Sequence, residues 1–255
     1  MIPAKLKGND VSPNAVQPAT YRLADHVRAC RIDGQVILLD LRRNKYQGVG
    51  GTGAASVSDV VIDWPGGDIQ SPRQSSSDHA ASVKALVSML SSNAMLTRAD
   101  RAPPVRQQLS EPLESWHPSD TAALPSRNWR DVLRLGLSAA TTAYWLRRHS
   151  LAQIASNVMR LRGRAHGSVV SGVGALEREV SAYMRVRPFV LTARDQCLHD
   201  SLTLIRFLAA RALFPSWVIG VRTRPFAAHS WVQSGNTVLN DLHENVRAFH
   251  PILVV

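Results

Sequence analysis

The chain has 255 residues, enough for one or two domains with cores of their own, and its 45% hydrophobic content is that of a globular protein. The balance of 30 Lys+Arg against 19 Asp+Glu gives a net charge of +11, but the charge is dispersed, which favours a soluble basic protein over a nucleic-acid binder. Two distant cysteines, Cys30 and Cys197, exclude a disulfide framework. With no run of about eighteen apolar residues and no apolar N-terminal signal, the expectation is a cytoplasmic protein without a membrane partner.

Residues 1–18, with Pro3, Pro13 and Pro18, read as a loose lead-in. Tyr21–Ile32 is strand-prone, Asp33-Gly34 is a hairpin turn, and Gln35–Leu41 is a second strand with an apolar run. Arg42–Lys45 turns again into a short third strand, Lys45–Val49, expected at the sheet edge. Ala54–Ile62 is a short helix candidate. After a polar loop, Asp78 caps a helix to about Ser91, with Val83, Leu86, Val87 and Leu90 on its apolar side. Three short strands plus helices predict a small α+β, winged-helix-like module over 1–100. Five prolines over 101–126 (Pro103, Pro104, Pro112, Pro118, Pro125) read as a linker. In the remaining domain, 127–255, helices are expected from Asn128 to Arg148, from Leu151 to Arg162 with a Ser150 cap, and from Ala175 to Met184.

The chemistry gathers near the C-terminus. Leu198, Leu202, Ile205, Leu208, Ala209 and Ala212 trace a helix stripe, and Asp195 as N-cap puts Cys197 in the first turn, where the helix dipole favours a thiolate. Trp217–Thr223, Ala227–Gln233 and Thr237–Asp241 read as strands. A three-residue loop, Ser234–Asn236, would pair Gln233 with Thr237, Trp231 with Leu239, and His229 with Asp241. A thiol needs a neighbouring base, and the base needs an orienting group; Cys197, His229 and Asp241 supply these in the chain order of transglutaminase-like and papain-like thiol enzymes.

The stretches Arg194–Leu202, Val218–Arg222, Pro225–Gln233, Asn240-Asp241 and Phe249–Leu253 resemble the lasso-peptide B proteins, transglutaminase-like cysteine proteases that cut the leader from a lasso precursor. The resemblance implies Cys197 as nucleophile, His229 as general base and acid, and Asp241 as orienter. Cys30–Leu41 with Tyr46 resembles the PqqD-like recognition element fused to many of them. That implies leader binding by strand addition along Lys45, Tyr46, Gln47 and Val49. Further implied partners are the lasso precursor and an asparagine-synthetase-like lasso cyclase. ATP would enter through that cyclase, since Gly48-Val-Gly-Gly-Thr-Gly lacks the lysine of a phosphate-binding loop and no cofactor is expected on this chain.

Around the triad, Gln196 and the Cys197 N–H are candidate oxyanion donors. Trp231 shares a face with His229 and is read either as a wall of the site or as plain core. His199 should point away from the thiol, which disfavours a metal site. His243 is a weaker candidate base, and Cys30 reads as a core cysteine. Two rival functions stand beside the peptidase: an acyltransferase using the same triad, and a winged-helix nucleic-acid binder. The second is disfavoured because residues 78–92 hold one lysine, Lys84, and no arginine.

Overall fold

A computed structural model describes residues 21–50, 54, 57–65, 77–100, 109–117, 128–164, 174–189 and 197–255. The expected lead-in, the polar loop before the first long helix, the Asp195 cap and Gln196 lie outside these residues. Strands β1 (Tyr21–Leu23), β2 (Val27–Ile32), β3 (Gln35–Asp40) and β4 (Lys45–Val49) open the fold. β2, β3 and β4 form an antiparallel sheet with β4 at one edge. Asp33 and Gly34 both take positive φ, 48° and 76°, as a two-residue turn matched to strand twist requires.

The strand-prone run Tyr21–Ile32 is broken in two. β1 leaves the sheet to pair with β5 (Leu96–Arg98), a strand the sequence pattern did not announce. Of the expected helix over Ala54–Ile62, Ala54 is helical, Val57–Asp59 form a 3-10 turn, and residues 55–56 lie outside the described residues. Its β-branched valines and Ser58 and Asp59 are poor helix formers, and Val61 bridges to Tyr21 instead. Helix α1 (Ser77–Ser92) follows as expected.

β3 is apolar without alternation because both of its faces are buried. Val36 and Leu38 pack into a core with Val27, Ala29, Leu90 and Leu96. Ile37 and Leu39, with Leu41 beyond the strand, enter a second and larger core with Leu151, Ile154, Val221 and Ile252. The N-terminal sheet therefore serves as a wall of the C-terminal core. Two hydrogen bonds reinforce the junction: Ala152 N–H to the Leu41 carbonyl (2.9 Å), and the Thr223 hydroxyl to the Asp33 carboxylate (2.7 Å).

The C-terminal helices are α2 (Trp129–Arg148), α3 (Leu151–Arg164), α4 (Ala175–Val186) and α5 (Cys197–Ala209). The Asn128 side chain accepts from Arg130 N–H, capping α2. The Gln153 side chain accepts from Ser150 N–H at 2.8 Å, half of a capping box on α3. These helices pack on a five-stranded sheet, ordered β10-β7-β8-β9-β6. Its strands are β6 (Glu114–Ser115), β7 (Ser216–Thr223), β8 (Phe226–Ser234), β9 (Thr237–Val238) and β10 (His250–Val254), with a short α6 (His243–Val246) before β10. Within the proline-rich stretch read as linker, β6 pairs in parallel with β9, and Trp116 N–H bonds the Val238 carbonyl at 2.7 Å. An edge position suits this stretch, since proline is tolerated only there in a sheet. Among the described residues no helix is long and apolar enough to cross a bilayer.

The β8–β9 hairpin corrects the expected register. Ser234 pairs with Thr237 and Gln233 with Val238, so the loop is Gly235-Asn236, one residue shorter than expected. Gly235 at the first loop position takes φ 57°, where a Gly-X two-residue hairpin turn uses glycine. β9 also stops at Val238, well short of Asp241. The ladder therefore does not set His229 opposite Asp241.

Candidate active site

The short β9 leaves half of one side of β8 without a partner strand. Along a strand, every second residue presents its N–H and C=O to the same neighbour. The Val232 carbonyl still receives Leu239 N–H at 2.8 Å, but Val232 N–H donates to the Asn240 side-chain oxygen, also at 2.8 Å. Two residues earlier on that side, Ser230 N–H points at the sulfur of Cys197. A side-chain amide and a thiol thus occupy the ladder positions a longer β9 would have filled.

Asn240 also binds the helix that carries the thiol. Its amide nitrogen donates to Asp200 (2.8 Å) and to the Ser201 hydroxyl (3.1 Å), both on α5. Asp200 is buried and further accepts from the Tyr183 hydroxyl (2.8 Å) and the Arg187 guanidinium (2.8 Å). This cluster fixes α5 against β8 just before Asp241. A buried charge so fully paired is costly to disturb.

Asp241 meets His229 because the chain turns out of the ladder after Asn240. The Asp241 carboxylate lies 2.6 Å from His229 Nε2, and its other oxygen accepts from Leu242 N–H (2.7 Å) and the Asn245 amide (3.0 Å). With Nε2 engaged, Nδ1 is the ring nitrogen left for the hydrogen bond between His229 and the Cys197 thiol. The three residues expected from chain order come together, though by a different route.

The electrostatics agree with that arrangement. Burial pushes the Cys197 thiol up, but the hydrogen bond and charge of His229, with N–H groups of Ser230 and Leu198, outweigh it and leave the thiol below its ordinary value. Burial alone would lower His229, yet the hydrogen bonds to Asp241 and Cys197 raise it to about 9. Burial likewise opposes ionisation of Asp241, and the donors His229, Asn245 and Leu242 hold its carboxyl below the ordinary value. Both shifts favour a thiolate facing an imidazolium, the reactive form of a thiol nucleophile.

The imidazole is held between aromatic rings, Phe249 with centroids 5.2 Å apart and Trp231 at 6.2 Å and nearly parallel. Trp231 is fully buried, and its indole N–H donates to Gln233. It is thus both core and neighbour of the site. Gly220 faces His229 across the β7–β8 ladder. A Cβ there would come 2.7 Å from the Trp231 ring and 2.9 Å from Phe249, so only glycine lets the indole lie across β7.

The remaining candidates separate clearly. His199 Nε2 faces the Ala139 carbonyl at 3.3 Å. His243 Nδ1 contacts Ser115 (2.9 Å) and Glu244 (3.1 Å), and the Ser115 hydroxyl also accepts His243 N–H, so Ser115 caps α6. Cys30 is half-buried against the larger core. Among the described residues no group of three or more His, Cys, Asp or Glu could hold a metal. On β4, Lys45, Gln47 and Val49 point to the α1 side, where the Gln47 amide touches Met89, and Val49 is buried. Tyr46 points the other way, edge-on to Phe226 (5.5 Å). Burial raises its phenol to about 12, with the Cys197 charge adding to the shift. The N-terminal sheet therefore lends a residue to the surroundings of the thiol. Neither Asp200 nor Asn240's side chain was singled out as a site residue in the sequence. The available signal was an acidic residue, Asp200, set among Leu198, Leu202 and Leu204.

Comparison with known proteins supports the same region. A stretch of the chain is 48% identical over 48 residues to the Microcin J25-processing protein McjB of Escherichia coli, covering 19% of this chain and 23% of that protein. The match thus spans less than a quarter of the relative's length. No solved structure matches. Residues 133–254 match the model of the transglutaminase-like superfamily, and β7 to β10, α5 and the Cys197–His229–Asp241 cluster lie within that matched stretch.

Proposed function

We propose that the chain is the leader peptidase of a lasso-peptide pathway, cutting a ribosomally made precursor through an acyl-enzyme. The observation that carries the reading is the Cys197–His229–Asp241 cluster, with its lowered thiol and raised imidazole. The likeness of part of the chain to a microcin-processing protein supplies the substrate class. In this reading the Cys197 thiolate attacks the scissile carbonyl carbon, and the oxyanion formed is met by N–H donors at the start of α5. The C–N bond breaks as the His229 imidazolium gives its proton to the leaving amine, leaving a thioester. His229 then takes a proton from water, whose oxygen attacks the thioester and regenerates the thiol. Asp241 keeps Nδ1 toward sulfur throughout.

The leader is held by strand addition to the outer edge of β4, with the side chains of Lys45 and Gln47 beside it and Val49 contributing through its backbone. A lasso cyclase takes the released core peptide, and any ATP requirement belongs to that partner. Mass spectrometry of a precursor incubated with the chain tests the reading. Wild type should release leader and core, and Cys197→Ala should lower turnover by about 10⁶-fold. Wild-type turnover in that variant would end the thiol-enzyme reading. Since the same thioester can pass to an amine, a product heavier by an added amine would identify an acyltransferase instead.

A further inference from the structure

Between the N-terminal sheet and the tip of the β7–β8 hairpin lies a cleft of about 320 Å³ that the triad does not use. Ile37, Tyr46 and Gly48 line one side, and Phe226 with Thr223 and Arg224 the other. Phe226 is half exposed, an uncommon position for a phenylalanine, yet its ring is fixed edge-on against Tyr46. The hydrogen bond between Thr223 and Asp33 ties the two rims, so the cleft's width is built into the fold.

We propose that this cleft is a specificity subsite for an apolar side chain of the leader, about four residues before the cut. The inference rests on the leader-peptidase reading and adds where selectivity resides. Its occupant follows from continuity. β4 carries the edge assigned to the leader, and the same strand sends Tyr46 to the neighbourhood of Cys197. The distance follows from β8. Phe226 lies four residues before Ser230, whose N–H meets the Cys197 sulfur, or roughly 13 Å at about 3.3 Å per residue. An extended peptide covering that span uses about four residues. The class of side chain follows from the walls. Ile37, Tyr46 and Phe226 offer apolar surface, with Gln35, Thr223 and Arg224 as the few polar groups of the lining, the usual build of a selective pocket.

The test can be run without the precursor's sequence. A peptide library derived from a bacterial proteome is digested with the full chain, and cut sites are read by mass spectrometry. Wild type should favour aliphatic or aromatic residues about four positions before the cut by about tenfold over charged ones. Phe226→Ala should erase that preference, while Phe189→Ala, at an exposed phenylalanine away from the cleft, should keep it. Gly48→Val offers a second variant, because its Cβ meets Ile37 at an ordinary 3.7 Å. By filling the cleft it should move the preference to small residues. A flat wild-type profile at that position, a preference for Asp or Glu set by Arg224, or a profile unchanged in both cleft variants would overturn the subsite while leaving the peptidase intact. No cutting by wild type would overturn the peptidase reading and the subsite with it.

Discussion

Two strand edges in this molecule meet the same problem differently. On β4, no described strand pairs with the outer side. On β8, the neighbour β9 withdraws after Val238, and the exposed N–H groups are taken by the Asn240 amide and the Cys197 sulfur. In the proposed function the first edge takes a peptide backbone, and the second becomes the reactive site. Ending a strand early is thus a positive device: it creates a place beside a rigid ladder where side chains replace backbone.

The sharpest way to break the second edge is Asn240→Ala. Val232 N–H and Asp200 would each lose a partner, for a stability loss of about 1–3 kcal/mol by chemical denaturation. The resulting slack between α5 and β8 should lower kcat/KM by about 100-fold. Near-normal turnover would mean that the Asp200 cluster does not position the thiol.

The thiolate–imidazolium pair is examined by pH. Cys197 lies below its ordinary value and His229 at about 9, so the reactive pair exists between those two titrations. Cleavage should fall on the alkaline side as pH rises through about 9 and His229 loses its proton, and on the acid side as the thiol is protonated. In a Cys30→Ala background, iodoacetamide labelling of Cys197 should persist below the usual thiol range and move upward in pH with His229→Ala. A labelling curve indifferent to His229 would separate the two groups.

The first edge predicts a smaller effect. Leader peptides N-methylated at alternate residues should bind more weakly by about tenfold when the methyl replaces a donor toward β4, by calorimetry, with the other register unaffected. Equal affinity in both registers would remove strand addition. Smallest in activity is Gly220→Ala, whose Cβ must displace Trp231 or Phe249. It should cost about 1–3 kcal/mol and disturb the imidazole only through its aromatic neighbours.

Much of this was legible in the sequence because it was local. Asp33-Gly34 needs positive φ at both residues and finds it, Ser150 sits where a cap belongs, and Asp241 lies within hydrogen-bonding reach of His229. The register was not legible. A hairpin read as a continuous ladder brings His229 opposite Asp241 only with a three-residue loop. The molecule uses two and then abandons the ladder, a choice made by the Asn240 side chain and the buried Asp200 from a distant helix. β5, β6 and β10 were missed for a related reason: each is short or proline-bearing, and exists because an unpaired neighbour offered it an edge. The roles of Tyr46 and Phe226 depend on two sheets meeting, which no window of sequence contains.

The alternation along β3 has a consequence for anyone wishing to re-engineer the chain. Successive residues answer to different cores, Val36 and Leu38 to the N-terminal one, Ile37 and Leu39 to the one shared with α3, β7 and β10. The N-terminal sheet is therefore not a cartridge. A foreign module grafted at the proline-rich stretch would have to bring its own equivalents of Ile32, Ile37, Leu39 and Leu41, or leave the thiol domain with an open flank. Transplants that respect only the linker should yield insoluble protein, and those that carry the four positions across should not.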